Sequence, residues 1–339
     1  MPDTRVRRAA ALTTGLVVGA AALVGVALLS LLVGAQPLPL GTVLDALLHP
    51  DPALQQHLII TESRLPRTEV GILAGIALGL SGAIIQAVTR NPLAEPGILG
   101  VNAGAGFFVV IGISVFGLKS LTGYVWFGFA GAAVAAVVVY TIGSFGRGGA
   151  TPVKLALAGT ALTAVFLSFT TAVLVTDAAT YDQFRFWQVG SLTARSTDVA
   201  AKALPFMAVG VLIALASTRV LNALALGDDV ASSLGQHVGR ARLIAAVAVV
   251  LLCGTATAMA GPIVFVGLIV PHAARILTGP DHRWLLPYAM LLAPILLLLA
   301  DVLGRVITET GEVQVGIVTA VIGAPFFVAM ARRRRLAEL

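Results

Sequence analysis

The sequence predicts an all-α integral membrane protein with ten transmembrane helices, and three observations carry that expectation. Hydrophobic residues make up 58% of the 339 and charged residues only 11%. Mean hydropathy is +0.96, far above what a soluble domain of this size needs to fill one core. The charges gather in short clusters with Pro and Gly between long uncharged runs, as repeated bilayer crossings require.

A spanning helix needs about 20 apolar residues to cross roughly 30 Å of hydrocarbon, and a mid-span charge costs about 2.5 to 3.5 kcal/mol. Uncharged windows run over 9–44, 70–89, 96–118, 120–146, 155–176, 203–218, 243–274, 284–300 and 313–331. Their polarity does not alternate every second residue, which excludes barrel strands. The first window follows Arg5, Arg7 and Arg8, and Val33-Gly34-Ala35 resembles a cleavage site. Its apolar run is too long for a secretory signal, so an uncleaved first span is expected.

Charge settles how the window at 243–274 is divided. It holds 32 uncharged residues around Gly261-Pro262. If the N-terminal arginines lie in the cytoplasm, two spans here bring Arg275, Arg283 and Arg332 to Arg335 inside as well, whereas one span leaves them all outside. The predicted spans are therefore about 10–34, 66–88, 96–117, 123–144, 153–175, 202–220, 241–260, 262–277, 284–303 and 313–332, in one domain over 1–339 with both termini cytoplasmic. In this topology fifteen of the 22 cations are inside. The longer outer loops, roughly 36–68 and 177–201, carry most of the acids and are too short for separate domains.

Within the second span Gly71, Gly75 and Gly79 recur every four residues, a bare stripe along which another helix can approach closely. Gly/Pro-interrupted stretches near 91–104 and 261–272 suggest broken helices in an inverted repeat.

Reactive chemistry is missing. The sequence contains no HExxH, no GxSxG, no paired intramembrane Asp and no Cys/His cluster. His49, His57, His237, His272 and His282 are scattered, and the lone Cys253 can form no intrachain disulfide. The basic excess flanks spans and forms no single face, so no nucleic-acid partner is expected. Without a GxxxxGK[ST] loop the chain has no usual means of binding ATP. The spans lack the mid-membrane ionisable groups of ion-coupled carriers. Asp301 and Arg305 come closest, four residues apart near the outer surface, where they can pair.

Four stretches carry a resemblance: RLPR at 64–67, SGAIIQAVTRNPLAEPGILGVNAGA at 81–105, GPIVFVGLIVPHAARILTGPDHRWLLP at 261–287 and VGIVTAVIGAPFFVAMARR at 315–333. They resemble the FecCD/BtuC-type permease subunits of importers for iron siderophores, haem and vitamin B12, over nearly the whole chain and in the same order. The resemblance implies a BtuC-like type II ABC importer permease fold. It also implies a second permease subunit, two cytoplasmic ATPase subunits that bind the ATP and Mg, and an extracytoplasmic substrate-binding protein. No cofactor and no catalysis are expected of the chain itself, which would sit among lipid in the cytoplasmic (inner) membrane.

The resemblance further assigns ATPase coupling to the segment containing Leu226, Gly227, Asp228, Asp229, Val230, Leu234 and Gly235. Independently of it, two acids suit a helix N-terminus, and the leucines and valine can offer an apolar face. The resemblance also assigns binding-protein docking to Arg64, Arg67 and Arg305, a role that suits guanidinium, which engages carboxylate with a two-pronged geometry. It likewise implies a cytoplasmic gate at Gly149, Ala150, Thr151 and Pro152. VNAGA at 101–105 looks more like siderophore than cobalamin permeases, which favours a ferric siderophore as cargo. Haem or vitamin B12 import, or a secondary active transporter, are the alternatives.

Overall fold

The computed structural model describes residues 2–34, 36–118, 120–145, 151–193, 197–308 and 311–335. Among them all regular structure is helical. The chain runs through α1 (Pro2–Leu32), α2 (Leu40–Leu48) and α3 (Gln55–Leu58). A π-helical turn at Ile59–Arg64 leads into α4 (Leu65–Thr89), and a 3-10 turn at Pro96–Leu99 into α5 (Val101–Ser114). Then come α6 (Leu121–Ser144), α7 (Pro152–Thr176), α8 (Ala178–Gln188), α9 (Thr197–Ala216), α10 (Thr218–Ala225) and α11 (Asp228–Ser233). The chain closes with α12 (Val238–Ala260), α13 (Val266–Thr278), α14 (His282–Val306) and α15 (Val315–Arg335).

Eight of these helices are long and apolar enough to cross a bilayer: α1, α4, α6, α7, α9, α12, α14 and α15. With the shorter apolar helices α5 and α13 they make ten apolar helices among the described residues, each overlapping one of the ten predicted spans. The two short ones follow the two interruptions in the chain. At about 1.5 Å rise per residue a helix of 13 or 14 residues covers only about 20 Å, so the segments before α5 and α13 enter the membrane as irregular backbone. Such backbone survives at depth only where its polar groups are satisfied by protein.

Here the two interruptions lie against each other, and the first supplies an acceptor to the second. The Glu95 carboxylate accepts from the backbone N–H of Phe265 at 2.6 Å, at the head of α13, where Phe265 adopts a left-handed φ of 69°. Thr257 of α12 donates to Asn102 of α5 at 2.9 Å. Gly267 lies so close to Pro96 that an added Cβ would fall 3.0 Å from the ring.

α4 occupies the centre, with 83% of its apolar window buried, because its glycine stripe removes the side chains that would hold neighbours away. Cβ atoms at Gly71 and Gly79 would come within 2.6 Å of Leu298 and 2.7 Å of the Ala289 carbonyl. One at Gly75 would run into the Pro294 backbone, and one at Gly82 into that of Gly267. α4 thus packs on α14 over three turns and on α13 beyond them. α1, by contrast, lies at the periphery with 11% of its window buried. It is pinned by Tyr288, whose hydroxyl donates to the Leu12 carbonyl at 2.9 Å.

The two long loops fold into caps. Val43 and Ala46 of α2 join Leu31, Leu38 and Ile60 in a small second core. α8 buries Phe184 and Trp187, whose rings stack with centroids 5.6 Å apart.

If backbone contact at the glycine stripe sets the packing, Gly75→Leu displaces α14 and costs at least the 1–3 kcal/mol typical of overpacking. Gly25→Leu, where nothing lies within 4 Å of the added Cβ, serves as the matched control. Fluorescence-detected size exclusion after heating should show the Gly75 variant melting well below wild type and the Gly25 variant alongside it. Equal melting would refute the assignment.

Candidate functional site

Two polar assemblies sit at opposite ends of the bundle. The first surrounds Asp301, a buried carboxylate near the end of α14 that is 1% exposed. Arg67 at the head of α4 donates to it through Nε (2.9 Å) and Nη2 (2.8 Å). Arg305, one turn along α14, donates through Nε at 3.0 Å and again through Nη2. Arg67 Nη1 reaches Glu312 at 2.7 Å. A lone carboxylate at this depth would be strongly disfavoured, and here it is held by two forked guanidiniums.

The remaining donors cap α1. The last carbonyls of a helix lack intrahelical partners and carry the negative end of its dipole. Arg64 donates to the carbonyls of Leu31 (2.6 Å), Leu32 (2.9 Å) and Gln36. Arg305 donates to those of Ser30 (2.7 Å) and Val33 (3.0 Å) and to the Ser30 hydroxyl (2.9 Å). Ser30 in turn pairs with Thr68 at 2.9 Å.

The structure therefore brings Arg64, Arg67 and Arg305 together but does not leave them as free docking cations. They are only 5–7% exposed, and their donors are occupied by Asp301, Glu312 and the end of α1. Spacing in sequence shows the Asp301–Arg305 pair, but not that Arg67, 234 residues away, is the second cation on the same carboxylate.

At the other end, α10 and α11 form a short helical elbow. Asn222 ties α10 to the head of α14. It donates to Asp281 at 2.7 Å and accepts from the His282 backbone at 2.9 Å. Burial pushes the Asp281 carboxyl upward, but the Arg283 N–H, the Asn222 amide and the Arg283 charge outweigh it and hold the group below its usual range. Gly227, at φ 113°, turns the chain into α11, whose first turn carries Asp228 and Asp229.

These adjacent acids face different ways. Both oxygens of Asp228 lie 2.9 Å from Arg242 Nη2 on α12, and Arg90 at the end of α4 approaches to 3.8 Å. Asp229 is exposed, as are three apolar side chains of the elbow, Leu226 at the end of α10, Val230 in α11 and Leu234 at its end. Leu224 is buried, and Gly235 ends the elbow with φ 78°.

Of the predicted gate, Gly149 and Ala150 lie outside the described residues. Thr151 caps α7 by accepting from the Lys154 N–H at 3.4 Å, and Pro152 opens that helix. α7 itself carries a feature the sequence reading misses. Thr160, Ala164, Ser168 and Thr171 recur at helical spacing on its exposed face. Each hydroxyl donates to the carbonyl four residues earlier, at 2.8–2.9 Å. The spacing is visible in the sequence, but inside an uncharged window small hydroxyls read as ordinary span residues.

The profile of the FecCD transport family matches residues 22–333. The chain belongs to the FecCD family. Among relatives of this FecCD chain, the ferric enterobactin transport system permease protein FepD of Escherichia coli K12 is 47% identical over 306 residues, covering 90% of this chain and 91% of FepD. YfiZ of Bacillus subtilis 168, a probable siderophore transport system permease protein, is 46% identical over 278 residues, covering 82% and 84%. A solved structure described as an inward-facing metal-chelate type ABC transporter superposes with a TM-score of 0.82 at 28% identity, over 95% of the FecCD chain and 99% of that chain.

Removing the charge of Asp301 would leave two buried guanidiniums sharing no carboxylate at this point, a change that costs about 3–5 kcal/mol in buried pairs. Asp301→Asn should therefore lower the melting temperature sharply in detergent. Glu312→Gln, at a side chain 32% exposed, should lower it far less. Thermal-shift curves in which the two variants coincide would show that the cluster does not stabilise this end.

Proposed function

We propose that this FecCD chain is the membrane-spanning permease subunit of an ATP-binding-cassette importer that carries a ferric siderophore across the cytoplasmic membrane. The observation that carries the reading is the 47% identity with FepD across nearly the full length of both chains. YfiZ and the Bacillus subtilis iron(3+)-hydroxamate permease FhuB point to the same cargo class.

The α11 end faces the cytoplasm, because Arg8, Arg90, Arg219, Arg240, Arg242 and Arg283 gather there. The exposed apolar side chains of the elbow, Leu226, Val230 and Leu234, suit a groove on an ATPase subunit. Two such ATPases bind the ATP and Mg, and this chain performs no catalysis of its own. The Asp301 end faces outward and receives the substrate-binding protein. Arg64, Arg67 and Arg305 act there as the framework beneath the docking face, and any of them meets a carboxylate of the partner only by exchanging an internal acceptor for it.

A second permease subunit packs against this chain, where α1, α7 and α15 leave most of their apolar windows uncovered, only 11%, 22% and 28% buried. The cargo passes between the two permease subunits, along Thr160, Ala164, Ser168 and Thr171. Alternating access then follows from differential contacts that ATPase and binding protein make with the two states.

Reconstitution of the chain with its ATPase and binding protein in proteoliposomes tests the reading. Uptake of radioiron-labelled siderophore should require ATP and stop when the ATPase general base is changed from Glu to Gln. Concentrative uptake by the permease alone would overturn it. Within the assembly, Ser168→Trp should reduce uptake by about tenfold or more, the effect of about 1.4 kcal/mol of added barrier. Normal uptake through that variant would remove α7 from the pathway.

A further inference from the structure

We propose that Asp228 is the positioning residue that locks α11 to the transmembrane bundle, so that a push on α11 moves α4 and α12 together. The proposal rests on the importer reading above and specifies how its elbow transmits motion.

Apart from this carboxylate, α11 has little to hold it. Of its six residues only Ala231 is buried. Leu226, Val230 and Leu234 turn away from the chain. Gly227 and Gly235 bracket the helix with φ values of 113° and 78°, and nothing lies within 4 Å of a Cβ placed on Gly235. A helix hung between two such glycines could rock while the spans stayed still, and motion delivered to it would be lost in the hinges.

Asp228 removes that freedom. Its two oxygens share Arg242 Nη2 at 2.9 Å each, and Arg242 is itself buried in the second turn of α12, its side chain 6% exposed. A buried guanidinium holds its carboxylate far more stiffly than an exposed one, because separation strands a charge in a poorly solvated site. The second arm comes from Arg90, 3.8 Å away. Arg90 is the left-handed residue that ends α4, with φ 51°, and its Nη1 lies 3.4 Å from the position a Cβ on Gly227 would occupy. One carboxylate therefore joins α11 to the ends of two spans that are packed on each other. Asp229, next in sequence and exposed, makes no such junction and is left to face the partner.

The test uses the complete transporter in proteoliposomes and reads cargo delivered per ATP hydrolysed. A residue that only helps the chain fold would not change this ratio among the molecules that assemble. In Asp228→Asn the ATPase should still copurify, since the exposed apolar side chains are intact, while the ratio falls by about tenfold, within the 5–150-fold span typical of coupling between sites. Asp228→Glu, which keeps the charge for both arginines, should recover most of the ratio. If Asp228→Asn fails to insert, Arg90→Gln removes the exposed arm alone and should give a smaller fall. An unchanged ratio in whichever of these variants assembles overturns the proposal, as does loss of ATPase copurification from Asp228→Asn. Failure of the wild-type chain to retain any ATPase would instead refute the importer reading.

Discussion

Direct backbone contact between α4 and α14 is the constraint on which the remaining architecture depends. In lipid no hydrophobic force drives one helix onto another, so close packing must supply the attraction, and only small residues permit it. Gly75 against Pro294 and Gly79 against Ala289 provide that closeness. Once the two axes are drawn together, the ends of α4 arrive where charge is needed. Arg67 reaches Asp301 at one end, and Arg90 comes beside Asp228 at the other. A single central helix thus holds a member of each polar assembly.

The second requirement is that interrupted helices satisfy their backbone without water. The chain meets it at the head of α13 with the Glu95 carboxylate, while a side-chain bond from Thr257 to Asn102 ties α12 to α5 beside it. The left-handed conformation of Phe265 costs on the order of 1–3 kcal/mol. Its N–H bond to Glu95 and the packing of its ring on Gly323 of α15 offset that cost. The two stretches that look alike in sequence are therefore joined in space, which is what allows irregular chain to persist at this depth.

Much of this is legible in the sequence, and the exceptions have physical causes. The crossings can be read because lipid imposes one length and one polarity on each of them, and the glycine stripe because its period matches a helix face. The caps over the outer loops cannot be read from uncharged windows, since α2 and α8 are too short and too mixed in polarity. Beyond the Asp301–Arg305 pair, the fate of the arginines is hidden as well. That Arg64 is spent on the end of α1 and Arg67 on Asp301 depends on partners distant in sequence, 33 residues away for Leu31 and 234 for Asp301. Likewise Asp228 and Asp229 look equivalent until Gly227 fixes the direction in which the chain enters α11 and Arg242 meets only the first of them.

The self-bonded hydroxyls of α7 determine what kind of surface that helix presents. Because Thr160, Ser168 and Thr171 have already spent their protons on the carbonyls behind them, the wall they form holds out lone pairs and withholds hydrogen. On the pathway proposed above, an oxygen-rimmed cargo would meet acceptors and no free hydroxyl donors along Thr160, Ser168 and Thr171, so this helix would guide it without binding it tightly.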